Sequence, residues 1–562
     1  MTTIKNTILI IILCVCFNNQ AIQAEEKPAA IASAHPLATY AGFEILQQGG
    51  NAFDAAVAVS AALAVVEPAG SGLGGGGFWL LHRASDGFET MIDGREKAPS
   101  AASKDMFLDQ QGQVIKGLSR NSVLSAGIPG LPAAIVYLSE KYGRLPLAQV
   151  LQPAIRYAQQ GFVIGERHRK LLKFRLAVLQ NNAQAENIFL DDKKVPGNRA
   201  ILRQIDLAYT LKQIAQFGRK GFYAGDIADK LLNAVQKAGG IWTAEDLKGY
   251  QVIEREPMRG EYKGVKITSA SLPSSGGIVL IEALNILAGY PLEQLDEVTR
   301  KHIVSEAMRR AYHDRALYLG DSDFVEVPIK QLMDKNYAAG LRSGMRIDKA
   351  TPSDYLSGNS LQEDGGRNTT HFSIIDSDGN KVAATLSINF PFGSGFVAAG
   401  TGVLLNDEMD DFVSKTGVRN GYGLVGGAAN AIEPNKRMLS SMSPTFIEDN
   451  DRVAVLGTPG GSRIISMVLL AVLDFSEGHG PESWVWQPRF HHQYIPDLIQ
   501  YEKGGMTNDE IEGLKRLGHK LKEVRYRYGN MQAVQLNKKT QQLTVATDPR
   551  GEGLALVEGV NR

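Results

Sequence analysis

Residues 371–388 leave the backbone few options. His371-Phe372-Ser373-Ile374 alternates polar and apolar side chains as a half-buried strand does, and Val382 to Ile388 is a second run rich in β-favouring residues. Asp378-Gly379 between them is hairpin turn chemistry. With a loop of two to four residues, the returning strand passes Thr369 at about Ser387 to Asn389, so one end of one hairpin collects several hydroxyl and amide groups. Side chains alternate along a strand, so a slip of one residue would turn Ser387 and Asn389 to the opposite face.

A hydroxyl is a poor nucleophile at its own pKa and needs a base; an N-terminal threonine carries one in its own α-amine. Thr369 is internal, so that chemistry requires scission of the Asn368–Thr369 bond. Taken alone, two threonines at a strand start are ordinary β-formers.

The chain opens with Lys5, an apolar core from Ile8 to Phe17, and Ala-Ile-Gln-Ala before Glu25-Glu26, which is the pattern of a cleavable leader spanning Met1 to Ala24. Both cysteines, Cys14 and Cys16, lie in it, so a mature chain has no disulfide, cysteine nucleophile or thiolate metal site. No later stretch reaches the roughly twenty apolar residues of a membrane span, and the expected protein is soluble and secreted or periplasmic. The 60 basic and 60 acidic residues cancel, which argues against nucleic acid or an anionic membrane as partner.

Leu37–Gln48 and Ala52–Val66 read as two helices split by Gly49-Gly50, the second so rich in Ala and Val that it can be buried on most sides. Gly72 to Gly77 formally satisfies GxGxxG, but it follows a helix and precedes an apolar run, the reverse of a dinucleotide fold, and reads as a tight glycine loop. Arg95, at a strand end, is ordinarily solvated or salt-bridged, although its planar fork matches a carboxylate. The helix Val298 to Leu319 interleaves Arg300, Lys301, Arg309, Arg310 and Arg315 with Glu306 and Asp314, which predicts a solvated face. Glu408 and Asp411, three apart, suit an ammonium, a divalent cation or plain solvation. Asp354 to Arg367 is polar and glycine-containing, as a mobile loop would be, and Arg489-Phe490-His491-His492 lacks metal-ligand spacing and reads as structural.

Four stretches then occur in order: Gly365-Gly366-Arg367-Asn368-Thr369-Thr370-His371-Phe372-Ser373, Gly402 to Phe412, Leu439-Ser440-Ser441-Met442-Ser443-Pro444-Thr445 and Gly457-Thr458-Pro459-Gly460-Gly461-Ser462-Arg463. Together they closely resemble the γ-glutamyltranspeptidases, self-cleaving members of the N-terminal-nucleophile hydrolases, over about Ala30 to Arg550. The resemblance implies an α+β, four-layer αββα sandwich made as a precursor. It is cut at Asn368–Thr369 into a large fragment, 25–368, and a small catalytic one, 369–562, which form a heterodimer without metal or cofactor.

The same resemblance implies Thr369 as nucleophile, Ser387 as its hydrogen-bonding neighbour where the family carries threonine, and Gly460 with Gly461 as oxyanion hole. It implies Arg95, Ser440 and Ser441 around the substrate's α-carboxylate, Asn389, Glu408 and Asp411 around its α-amino group, and Tyr422 on a lid within Lys415 to Asn430. The implied reaction takes a γ-glutamyl donor such as glutathione, forms an ester on Thr369 and passes the acyl group to water, an amino acid or a peptide. Two alternatives remain: a cephalosporin or glutaryl acylase on the same fold, and an uncut, noncatalytic exported binding protein.

Overall fold

The computed structural model describes residues 27–356, 369–415 and 417–560. The expected leader, Asn368 and most of the expected loop ahead of it lie outside the described residues.

Two antiparallel sheets lie face to face and helices cover both outer faces, the expected αββα arrangement. The first sheet runs Leu554–Val560, Lys27–Ser33, Thr370–Ile375, Lys381–Ser387, Gly76–Arg83, Phe88–Gly94 and Ile253–Arg255 in spatial order. The second runs Leu543–Thr547, Gln532–Asn537, Arg452–Gly457, Thr445–Glu448, Val265–Ser269 and Met258–Tyr262. One apolar core joins Ile31, Trp79, Phe372 and Ile374 of the first sheet to the helices Pro36–Gln47 and Ala52–Val66. The other fills the space between the sheets and reaches the helices Gly276–Leu287, Glu297–Tyr318 and Ile464–Ser476.

The Ala/Val-rich composition of Ala52–Val66 has the anticipated effect: every residue of that helix is buried. Its first turn is held by a capping box in which Asn51 Oδ1 accepts from Asp54 N and Asp54 accepts from Asn51 N. The hairpin turn adds a further cap. Asp376 accepts from Ala52 N at 2.8 Å, and also from Asp378 N and Asn380 N at 2.9 Å each. One carboxylate therefore shapes the turn and ties it to the helix.

The loop between the paired strands covers residues 376–380, five rather than two to four, because Asp376 closes a wider turn with Asn380 O accepting from Asp376 N. The register nevertheless pairs Thr370 with Leu386 and His371 with Thr385, and one further step sets Ser387 opposite Thr369. The glycine loop is tight as expected: a Cβ on Gly75 would lie 2.2 Å from Ser387 O, so only glycine lets this backbone support the strand end.

The helix Glu297–Tyr318 corrects the expectation of a solvated charged face. Glu306, Arg309, Arg310, Asp314 and Arg315 are all buried, and only the N-terminal Arg300 and Lys301 keep partial exposure. Their charges meet one another inside: Glu306 pairs with Arg309 at 3.1 Å and Arg310 at 2.7 Å. Asp314 accepts from Tyr337 at 2.6 Å and Arg315 donates to serine hydroxyls, so the charges that read as solvated are met inside the fold by one another and by neutral polar groups. Among the described residues, no helix is long and apolar enough to cross a membrane.

Candidate active site

Thr369 stands immediately before the strand Thr370–Ile375 and is buried. A small cavity at this end of the hairpin is lined by Thr369, Ser387 and Asn389, by Arg95 after the strand Phe88–Gly94, and by Glu408 and Asp411 from one short helical turn. Ser440, Ser441, Tyr422 and Gly461 complete its wall. Five other chain regions thus meet the hairpin where it begins. Gly460 does not line the cavity but precedes Gly461 in the same bend, where both residues have positive φ, 148° and 58°.

Charge in the cavity is concentrated on one guanidinium. Arg95 donates to Glu408 at 2.7 Å and to Asp411 at 2.6 Å, while Nε reaches Met438 O at 3.2 Å. Predicted partners of two different substrate groups are therefore partners of each other here. Burial pushes the Glu408 carboxyl up to about 7, with Arg95 opposing and Asp411 adding to the rise. Burial also raises Asp411, again against Arg95. Glu96, beside Arg95, is fully buried, and both its oxygens lack a hydrogen-bond partner among the described residues; burial and then Glu408 raise it well above the carboxylate range. Arg95 keeps its proton, since Glu408, Asp411 and Glu96 outweigh the burial that would lower it.

The backbone around the nucleophile position is fixed by polar side chains. Ser387 Oγ accepts from Asn389 N at 2.8 Å, and Asn389 Nδ2 donates to Asp407 O at 2.9 Å. Tyr422 donates its hydroxyl to Asn389 O at 2.9 Å, and its ring covers Gly461 so closely that a Cβ there would lie 2.2 Å away. The Tyr422 ring thus covers the cavity on the side of Gly461.

Three residues here escaped the sequence reading. Arg315 donates Nη2 to Ser441 Oγ at 3.2 Å and Nε to Ser275 Oγ at 2.9 Å, and Ser275 in turn donates to Ser440 O at 2.7 Å. Glu67 accepts from Thr370 Oγ1 and is pushed up to about 7 by burial, with nearby Arg167 opposing. Glu96 is the third. Only Glu96 carried a signal, its place within Asp93 to Pro99.

Among the described residues two groups have the geometry to hold a cation: buried His302, Glu306 and His519, and Asp474, Glu477 and His479 nearer the surface. Neither lines the Thr369 cavity. In the first, His302 Nδ1 and His519 Nε2 are hydrogen-bonded at 2.7 Å and Glu306 is held by two arginines, so the ligand atoms are already engaged. His491 and His492 are buried; Gln493 Oε1 accepts from the first at 2.8 Å and Tyr494 N donates to the second at 3.1 Å, in keeping with a structural role.

The family model described as gamma-glutamyltranspeptidase matches residues 38–557. The chain belongs to the γ-glutamyltranspeptidase family. The glutathione hydrolase proenzyme of Pseudomonas sp. (strain A14) is 44% identical over 518 residues, covering 90% of this chain and 89% of that protein. That of Escherichia coli (strain K12) is 43% identical over 531 residues, covering 93% and 90%. Among solved structures, cephalosporin acylase from Bacillus halodurans superposes with a TM-score of 0.81 at 28% identity, over 94% of this chain and 96% of that one. A chain of Helicobacter pylori γ-glutamyltranspeptidase gives 0.56 at 42% identity, over 57% of this chain and 92% of that one. This member of the family is accordingly an enzyme with the fold of the N-terminal-nucleophile hydrolases.

Proposed function

We propose that this family member is an exported γ-glutamyltranspeptidase and glutathione hydrolase, activated by its own cleavage at Asn368–Thr369. The leader 1–24 directs export, and the cut yields 25–368 and 369–562 as one heterodimer. The observation that carries this reading is the cavity that gathers Thr369, Arg95, Glu408, Asp411, Ser440 and Ser441 behind one tyrosine lid. A solved H. pylori chain that is 92% covered yet matches 57% of this one has about the proportion of the larger fragment.

In the precursor, Thr369 Oγ attacks the Asn368 carbonyl carbon, the Asn368 C–Thr369 N bond breaks to free the Thr369 amine, and water hydrolyses the resulting ester to release the Asn368 carboxylate and the Thr369 hydroxyl. In the mature enzyme that amine, with an ordinary pKa near 8, accepts the hydroxyl proton as Oγ attacks the γ-amide carbon. The Gly460 and Gly461 N–H groups face the developing oxyanion, which two side-chain-free residues allow. The C–N bond breaks, the amine leaves with the proton, and a γ-glutamyl ester remains on Thr369. Water or an amine then displaces Thr369. A bound α-amino acid end redistributes the charges: its ammonium takes Glu408 and Asp411, freeing Arg95 for the α-carboxylate beside Ser440 and Ser441.

This buried acidic pair is the reason to prefer a γ-glutamyl over a glutaryl substrate, which has no ammonium to meet it. Mass spectrometry of the chain ends should find a fragment beginning at Thr369, absent in Thr369→Ala, and a γ-glutamyl anilide should be cleaved in preference to its glutaryl analogue. An uncut active protein, a fragment starting elsewhere or a glutaryl preference would each overturn the assignment.

A further inference from the structure

The helix Ala52–Val66 is fastened to both ends of the nucleophile's hairpin. Its first residue donates to Asp376 in the turn, and Glu67, which follows its last, accepts from the Thr370 hydroxyl. Side chains alternate along a strand, so Thr370 shares the helix-facing side of Phe372 and Ile374. Glu67 therefore stands behind the strand, while the cavity lined by Thr369 and Ser387 opens in front of it. The approach is close. A Cβ on Gly70 would lie 3.4 Å from Thr369 O and 3.3 Å from Glu67 Cδ, so no more than the room for one methyl group separates the Thr369 backbone from this carboxyl.

Glu67 also lines a second cavity, of about 20 Å³, the room of about one water molecule. His35, Arg167, His168 and Glu552 complete its polar wall from three other parts of the chain. Two buried atoms of that wall, His168 Nε2 and Arg167 Nε, have no hydrogen-bond partner among the described residues, as suits a site that takes water. Glu552 accepts from Arg167 N at 2.8 Å and is exposed, so the cavity ends at the surface. Glu67 thus joins Thr370 on one side to solvent on the other. Burial pushes its carboxyl up to about 7, with Arg167 and Thr370 opposing and Glu552 adding to the rise. Burial lowers His35 and His168 to about 4 each, so both imidazoles stay neutral where Glu67 changes charge.

We propose that Glu67 is a positioning residue for self-cleavage: held by Thr370 and reached by water through this cavity, its carboxylate supplies the charge opposite the amine that appears on Thr369. The inference rests on the reading that the chain cuts itself at Asn368–Thr369. In that reaction the Oγ–C bond forms, the C–N bond breaks and the Oγ proton passes to the nitrogen. The freed amine, with an ordinary pKa of about 8, then takes a further proton from water. A peptide nitrogen carries no charge and the product ammonium carries one, so an anion behind the strand favours the cut form. Glu67 makes no bond to the reacting atoms; it loses its own proton to water in the cavity before the step. The acids in front of the strand are not available for this, because Arg95 already holds Glu408 and Asp411.

The test follows cutting rather than turnover. Full chain made by cell-free synthesis is diluted into buffers spanning about two pH units either side of neutrality, and the fragment beginning at Thr369 is followed with time on denaturing gels. The wild-type rate should climb as pH rises through about 7, where Glu67 becomes charged. Glu67→Gln, which keeps an acceptor for Thr370 but no charge, should flatten the climb and slow cutting about tenfold on its alkaline side. Thr370→Val should move the climb to higher pH, because the hydroxyl helps to hold the carboxyl down. A Glu67→Gln chain whose climb persists, whether slowed evenly or not at all, would overturn the proposal and leave the climb to another group such as Glu408. Should that variant fail to fold, an unmoved climb in Thr370→Val overturns it equally. A wild type that stays whole, or is cut elsewhere, would instead remove the reading beneath the proposal.

Discussion

Glu408 is the residue whose ionisation the site most depends on. Its carboxyl is raised above the ordinary range, chiefly by burial, to about 7, so it is protonated below that pH and unable to pair with a substrate ammonium. The KM for a γ-glutamyl donor should therefore fall as pH rises through about 7, and Glu408→Gln should erase this dependence; an identical KM profile in the variant would remove Glu408 from ammonium recognition. Arg315 acts one layer further out. Arginine only donates, so Ser441 Oγ must accept from it, which leaves the Ser441 proton to be given to a substrate carboxylate. Arg315→Met should raise the KM of the anilide about tenfold, with little change for a 4-aminobutyryl analogue that lacks the α-carboxylate. Equal losses on both would reduce Arg315 to a structural role. Thr369, Arg95 and the serine pair were legible because each sits in a contiguous motif. Arg315 was not, because the charges around it mimic a solvated face, and no local pattern distinguishes charges that meet water from charges that meet partners inside the fold.

At the scale of elements, the hairpin was legible from its β-favouring runs and its Asp-Gly turn, although both strands are buried on both faces rather than half-buried, and the register delivers Ser387 to Thr369 despite a longer loop. What could not be read was the purpose of Asp376, whose partners include Ala52, 324 residues earlier. That carboxylate accepts three backbone N–H groups, so removing it orphans the buried helix terminus and loosens the turn together. Asp376→Ala, made in the uncut Thr369→Ala chain so that one polypeptide unfolds, should lower stability by about 1–2 kcal/mol, as loss of a helix cap does. Asp376→Asn, which keeps an acceptor oxygen, should recover much of it. Denaturant titration measures both, and equal stability of all three proteins would show that the turn is held by other means.

The whole molecule is organised so that the proposed cut at Asn368–Thr369 would sever the chain without dividing the fold. In the first sheet, the strand Lys27–Ser33 of the larger fragment lies between Leu554–Val560 and Thr370–Ile375 of the smaller, and Lys381–Ser387 of the smaller pairs with Gly76–Arg83 of the larger. In the second, Thr445–Glu448 pairs with Val265–Ser269 across the same divide. Four backbone ladders therefore join the fragments, and both sheets need both. Pairings such as Ala30 with Val557 join chain ends more than 500 residues apart, which no periodicity reveals. Separating the fragments would expose the edges of buried strands and the core between the sheets, which costs far more than a surface contact between folded domains. The processed enzyme should elute as a single species in size exclusion and native mass spectrometry, resolve into two bands only in denaturant, and unfold in one transition shared by both fragments. Dissociation under native conditions into two folded pieces would mean that these ladders do not hold the molecule together.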